Sequence, residues 1–157
     1  VAVCAAVLAG CSDVAVQPPD DEQNTTRVPA SSQWTLVSIA GDPLPAIGRQ
    51  DAASTTFVLG DTLTFLVDST VRQTGSERLR GGDPTQEADF RIDNRFRTQT
   101  RGDTVALFLK CPRVALCSPG PSFVGQFEGE RLTLRLAAAG RRTPLVYRRL
   151  STSTTLP

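Results

Sequence analysis

A chain of 157 residues that is 39% apolar and 21% charged has enough bulk for one globular domain with a core, and residues to spare. Its 17 basic and 16 acidic side chains nearly cancel and form no long basic block, which argues against nucleic acid as a partner. Histidine is absent and all cations but Lys110 are arginine, so histidine-based catalytic triads and histidine metal sites are excluded.

Residues 1–10, from Val1 to Gly10, form an apolar decapeptide, well short of the ~20 residues a membrane-spanning helix needs. This stretch reads as the apolar region of a signal peptide whose Met and basic start are not part of the chain. Leu8-Ala9-Gly10-Cys11 resembles a bacterial lipobox. That resemblance implies a diacylglyceryl thioether on Cys11 and cleavage just before it. The cysteine is the soft nucleophile such a bond requires, and small neighbours let a peptidase approach an extended backbone. The protein is then a lipoprotein of the bacterial cell envelope, held in the membrane by acyl chains on Cys11. Ser12, in place of aspartate, resembles the sorting pattern for the outer rather than the inner membrane, with the domain facing periplasm or exterior. The alternative is a buried apolar strand with an incidental cysteine. Pro18, Pro19 and Asp20-Asp21-Glu22 would cut such a strand off from any core.

Residues 11–32 make the lipidated N-terminus and a disordered tether, because "SDVAVQPPDDEQNTTRVPASS" has almost no bulky apolar side chain. As a coil this segment reaches ~25 Å, enough to lift a domain clear of lipid headgroups. The domain occupies residues 33–150, and "STSTTLP" at 151–157 is a disordered polar tail.

Within the domain the hydrophobic period is two almost throughout, and no segment reads as a helix. The spacing predicts eight strands near 33–39, 61–67, 70–79, 87–98, 104–110, 122–128, 131–137 and 144–149. In chain order, Leu63, Phe65 and Val67 share one face. Phe90, Ile92, Asn94 and Phe96 alternate with Arg91, Asp93, Arg95 and Arg97. Val105, Leu107 and Leu109 then share a face, as do Leu132, Leu134 and Leu136. Turn signals separate the runs, among them Gly41-Asp42-Pro43, Asp68-Ser69, Gly81-Gly82-Asp83-Pro84, Gly102-Asp103, Gly129-Glu130 and Gly140. The fold expected is all-β: an eight-stranded antiparallel up-and-down meander closed into a small barrel, since closure removes exposed edges. "WTLVSIAGDPLPA", "GDTLTF", "GQFEGERLTLRL" and "PLVYRR" look like the small barrels of bacterial lipoproteins, lipocalin-like or related to the META group. The architecture is what that resemblance implies.

Cys4 departs with the signal and Cys11 carries lipid, leaving Cys111 and Cys117 for a disulfide in an oxidising compartment. So short a loop contributes ~2–3 kcal/mol in the chain-entropy model. A metal site is the rival reading of two nearby cysteines, but with no histidine and no second cysteine pair, no metal is expected. Nor is catalysis or a cofactor. A serine–lysine dyad would need Lys110 beside the disulfide, and Asp89 and Asp93 share the solvent face of a strand. Arg101-Gly102-Asp103 spells an integrin tripeptide and also supplies the residues of a hairpin turn, the reading preferred here. Arg141, Arg142, Arg148 and Arg149 suit either an anionic lipid or polymer or a solvated strand end. In a closed even-numbered meander the first strand begins where the last one ends. Arg149 is therefore expected over the Trp34 indole, capping one end of the barrel by a cation–π contact. The function expected is a lipid-anchored binding module, holding a small apolar ligand in the barrel or an envelope protein on its rim. One alternative is an inhibitor or assembly factor acting through the disulfide loop at 111–121. Another is a structural envelope protein with a filled core.

Overall fold

Alternation of inward apolar and outward polar side chains draws the domain into ten strands, and the described residues include no helix. The computed structural model describes residues 31–83, 85–111, 120–137 and 143–151. The expectations for residues 1–30, including Cys11, and those for Cys117, Arg141, Arg142 and residues 152–157 lie outside this set. In chain order the strands are β1 (Gln33–Ile39), β2 (Asp42–Pro43), β3 (Ala46–Gln50), β4 (Ser54–Phe65) and β5 (Thr70–Gly81). They continue as β6 (Glu87–Arg101), β7 (Thr104–Leu109), β8 (Phe123–Glu128), β9 (Arg131–Leu136) and β10 (Leu145–Arg149).

From β4 to β10 each strand pairs antiparallel with the next, β10 pairs with β1, and β1 closes the ring on β4. The result is an eight-stranded antiparallel barrel with two short additional strands, β2 folded back on β1 and β3 on β4. Closure leaves eight strands around an interior that side chains can fill. Trp34, Leu63, Val71, Phe96, Val105, Leu107, Leu132, Leu134 and Tyr147 do so, all almost wholly buried. Trp34, Phe65 and Phe127 stack against one another, with ring centroids 5.3 to 6.5 Å apart. The Arg101-Gly102-Asp103 segment forms the turn between β6 and β7, with Gly102 in the left-handed region at φ 54°.

Several expectations need correction. The strand expected near 61–67 begins at Ser54 and stops at Phe65, so Val67 falls in a turn and is 80% exposed. A bulge between Val58 and Gly60 breaks the period of two, which hid the first half of β4. β3 went unread because only its first residue, Ala46, is buried. Phe90 keeps the inward parity of Phe96 yet is half exposed, and Leu109 and Leu136 are exposed at their strand ends. The domain also starts before residue 33. The Ser31 amide donates to the Phe65 carbonyl, the Phe65 amide donates to the Ser32 carbonyl, and Ser32 is buried.

Gly125 faces inward between Val105 and Leu134. A Cβ there would overlap the Thr133 carbonyl oxygen and stand 2.5 Å from Leu134 Cδ2. Gly125→Ala should therefore lower stability by about 1–3 kcal/mol through overpacking. Urea unfolding followed by circular dichroism measures this, and an unchanged midpoint would contradict the packing of β8 on β9.

Candidate ligand site in the barrel interior

The strands of the barrel are unequal, and this shapes the interior. β4, β5 and β6 are 12, 12 and 15 residues long, whereas β7 to β9 have 6 each. β7 pairs with β6 only over Phe96–Arg101, and β1 pairs with β4 only over Thr62–Thr64. The remaining halves of β4, β5 and β6, joined by β3, project past the rim as an arm. At the end that carries the first and last strand termini, the interior is packed with Trp34, Phe65 and Phe127. At the arm end the inward-facing Phe90 and Asn94 are exposed because β7 does not extend beside them, whereas Ile39, Ala46 and Val58 are buried, with Leu44, Phe123 and Leu145 packed against the core.

Where the arm leaves the closed ring lies a polar floor. Inward parity on β5 runs Val71, Gln73, Gly75, Glu77, and on β4 Asp61 lies in line with Leu63 and Phe65. Asp61 is only 7% exposed. Its Oδ2 accepts hydrogen bonds from Tyr147 Oη and Gln73 Nε2, each at 2.7 Å. Asn94 Nδ2 donates to Gln73 Oε1 at 3.1 Å, so the chain of bonds runs from an exposed amide to a buried acid. Asp61 Oδ1 has no hydrogen-bond partner. Opposite it in register stands Gly75, where a Cβ would lie 2.5 Å from the Gly60 carbonyl oxygen and 3.4 Å from Oδ1. The close approach of the two strands thus requires glycine and leaves Oδ1 facing a position without a side chain.

Burial raises the Asp61 carboxyl above its ordinary range, against the lowering effect of the Tyr147 and Gln73 bonds and the Thr62 amide. Glu77 is raised too, first by burial and then by the negative charge of Asp61. Tyr147 is pushed well above its usual value by burial, with Asp61 adding to the effect.

The outer face of the arm differs. Arg72 pairs with Asp93, Arg78 with Asp89 and Arg80 with Glu87, at 2.8, 2.7 and 2.6 Å. Hydrogen bonds from their arginines hold Asp89 and Asp93 below the ordinary carboxylate range, so neither is placed to keep a proton for acid catalysis. A depression of about 660 Å³ on the outer wall is lined by polar groups of both signs, including Glu128, Arg131 and Arg135, and carries no convergent set.

Comparison with protein-family models, with curated proteins and with solved structures finds no match for this chain. Its site must therefore be read from its own geometry.

Register pairs Trp34 with Arg149, as closure of an even meander requires. The cation–π contacts among the described residues lie elsewhere, at Arg80 over Phe57 (5.4 Å) and Arg97 over Phe108 (5.1 Å). The indole is turned into the core, between Phe65 and Phe127, with Nε1 donating to Ser32 Oγ at 3.0 Å. The ring contacts of the indole are with Phe65 and Phe127, and no cation–π contact to it is found among the described residues. Cys111 lies just past β7, and its pairing with Cys117 involves a residue outside the described set. Among the described residues no group of three or more cysteine, aspartate or glutamate side chains is arranged to hold a metal ion.

Asp61, Gln73 and Glu77 were missed in the sequence reading. Their signal was available: parity with Leu63 and Phe65 puts Asp61 inward, and parity with Val71 does the same for Gln73 and Glu77.

Proposed function

We propose that this chain is a lipid-anchored lipoprotein of the bacterial cell envelope, tethered through Cys11, whose barrel is a binding module for a small ligand entering at the arm end. The observation that carries the ligand reading is the uncovered inner face of the arm, where the exposed Phe90 and Asn94 lie near a buried acid with an unpartnered oxygen. A structural protein with a filled core would have no reason to keep such a group, because an unsatisfied buried polar atom costs about 1–3 kcal/mol. The membrane reading is supported by the lipobox-like Leu8-Ala9-Gly10-Cys11 and the proline-rich, acidic stretch that follows. Cys111 and Cys117 form a disulfide in this reading, stapling the loop between β7 and β8.

Native mass spectrometry of the full chain extracted from bacterial membranes tests both halves. The expected spectrum shows a mass shift from acyl chains on Cys11 and a small non-covalent adduct lost on denaturation. The Cys11→Ser chain should move to the soluble fraction, since each buried methylene contributes ~0.8 kcal/mol to membrane binding. Unchanged membrane partition of that variant would overturn the anchor.

A further inference from the structure

β6 pairs with β5 from Glu87 to Arg97 but with β7 only from Phe96 to Arg101. Residues 87–94 therefore end the arm as a sheet edge, with no strand on their far side among the described residues. Two hydrogen bonds fix the direction of the backbone there. The Thr98 amide donates to the Ser69 carbonyl, and the Lys110 amide donates to the Arg95 carbonyl. Even-numbered residues thus turn their N–H and C=O groups to β5 and odd-numbered ones to the side of β7. Glu87, Asp89, Arg91 and Asp93 present theirs to the free edge. Side chains alternate in the same period: Ala88, Phe90 and Ile92 on the inner face, Asp89, Arg91 and Asp93 on the outer. Edges guarded against pairing carry inward charges, prolines or bulges, and residues 87–94 have none of these. Phe90, at the middle of the edge, is 50% exposed.

We propose that a second copy of this chain covers this edge, β6 against β6, antiparallel about a two-fold axis at Phe90. That register sets Phe90 opposite Phe90, Ala88 opposite Ile92 and Asp89 opposite Arg91, the last two twice by symmetry. One face of the seam is then apolar, and the other gains two ion pairs. Arg78 holds Asp89 through two hydrogen bonds at 2.7 and 3.0 Å, while Arg91 belongs to none of the four ion pairs among the described residues. A positioned acid on one copy therefore meets an uncommitted cation on the other. Glu87 falls opposite Asp93, but each is already neutralised within its own chain, by Arg80 and by Arg72. Neighbouring registers fit less well. Centring on Arg91 sets Arg91 against itself and Asp89 against Asp93. Centring on Ile92 sets Asp89 against Arg95, where Lys110 already holds the edge. With even-numbered residues bonded to β5, Phe90 takes a non-hydrogen-bonded position in the new pair, where Cα atoms lie ~4.5 Å apart and side chains meet most closely.

So short a strand pair makes a small interface, below about 1,200 Å² in total, and exchange between monomer and dimer is expected at micromolar concentration. Sedimentation equilibrium of the full chain from about 1 to 200 μM measures it. Cys4→Ser and Cys11→Ser are included so that neither lipid nor a stray thiol links the copies. The expected result is a reversible monomer–dimer equilibrium. Arg91→Asp faces Asp89 with a like charge and should weaken association at least about tenfold, as should Asp89→Arg, whereas the two together restore opposite charges and most of the affinity. Arg91→Pro removes an edge amide, leaves the β5 ladder its own bonds and should abolish the dimer. Should Arg91→Pro not fold, the charge reversals at exposed positions still decide the matter. A parent that stays monomeric throughout would overturn the proposal and leave the edge to an extended segment of another protein. A dimer that survives Arg91→Pro and both reversals is built elsewhere and would overturn it too. Loss in Arg91→Pro with indifference to the reversals would overturn the register about Phe90. None of these outcomes depends on a ligand or on the membrane anchor.

Discussion

Replacing Trp34 with alanine should remove about 3–5 kcal/mol of stability, the range for truncating a buried large aromatic side chain. The indole is 2% exposed and packs against Phe65 and Phe127 with centroids at 6.5 and 5.3 Å. It sits where β1 closes the ring, paired to Arg149 on one side and Leu63 on the other. Its loss opens a cavity and removes the core contact at the seam together, while Ser32 Oγ loses its donor. Small domains have only about 5–15 kcal/mol in total, so the variant is expected at the edge of folding. Trp34→Phe keeps most of the packing and loses only the Nε1 hydrogen bond and part of the volume, so it should fall between. Far-ultraviolet circular dichroism against urea provides the comparison, since the chain's single tryptophan is the residue removed. A Trp34→Ala midpoint within error of the parent would mean the seam is not held by this residue.

The second large effect is expected at Tyr147, and it should depend on pH. Tyr147→Phe preserves the ring and deletes one of the two hydrogen bonds to Asp61 Oδ2. The cost should be about 1–3 kcal/mol when Asp61 is charged, because a buried acceptor is left short of a partner. Asp61 has a raised carboxyl in the folded state, so its folded form holds the proton more tightly than the unfolded form does. Its contribution is then fully present below the ordinary value of 3.8 and is lost as pH rises through the raised folded value. Deleting the Tyr147 bond, which favours the charged form, raises that folded value further. The penalty of Tyr147→Phe should be smallest in acid, where Asp61 keeps its proton, and grow as pH rises through the raised folded value. At the alkaline end the penalty should shrink again. Tyr147 itself titrates well above 10.0 when folded, so the parent loses stability as pH climbs past that value, and the variant lacks this loss. Urea midpoints of parent and variant at three pH values supply the measurement. A penalty that stays constant across them would show that Tyr147 acts through packing alone.

The arm carries ion pairs that respond to pH in the opposite sense. Asp89 and Asp93 are held low by their arginines, so their contribution disappears only as pH falls below the ordinary carboxylate range. All of these side chains are solvent-exposed, and screening keeps their effect small. Acid loss on the outer face of β5 and β6 is therefore separable from the Asp61 effect within the barrel.

The floor of the site was within reach of a reading by parity. Alternation from Leu63 and Val71 points Asp61, Gln73 and Glu77 inward, and a buried acid on an otherwise apolar strand face is a signal in itself. That Tyr147, 86 residues away, would bond to Asp61 was not legible, because strand parity fixes the side of the wall and not the height along it. The same limit applied to Trp34. Closure of an even meander predicts its pairing with Arg149, but the choice of two phenylalanines rather than a cation as neighbours of the indole was made by packing in the interior.

The sequence by itself determined the all-β class and the antiparallel meander, because both follow from local alternation and local turn chemistry, and the closure of eight strands into a barrel, because an open meander would leave exposed edges. The tertiary structure alone decided which inward-facing side chains are covered. Phe90 and Phe96 lie on one face of one strand, yet one is half exposed and the other buried, since only β6 residues from Phe96 onward have β7 beside them. Bulges between Leu36 and Ser38 and between Val58 and Gly60 reset the inward parity along β1 and β4. Periodicity reports which way a side chain faces. Whether that face is covered depends on how many strands surround it at that height, which is a property of the closed ring.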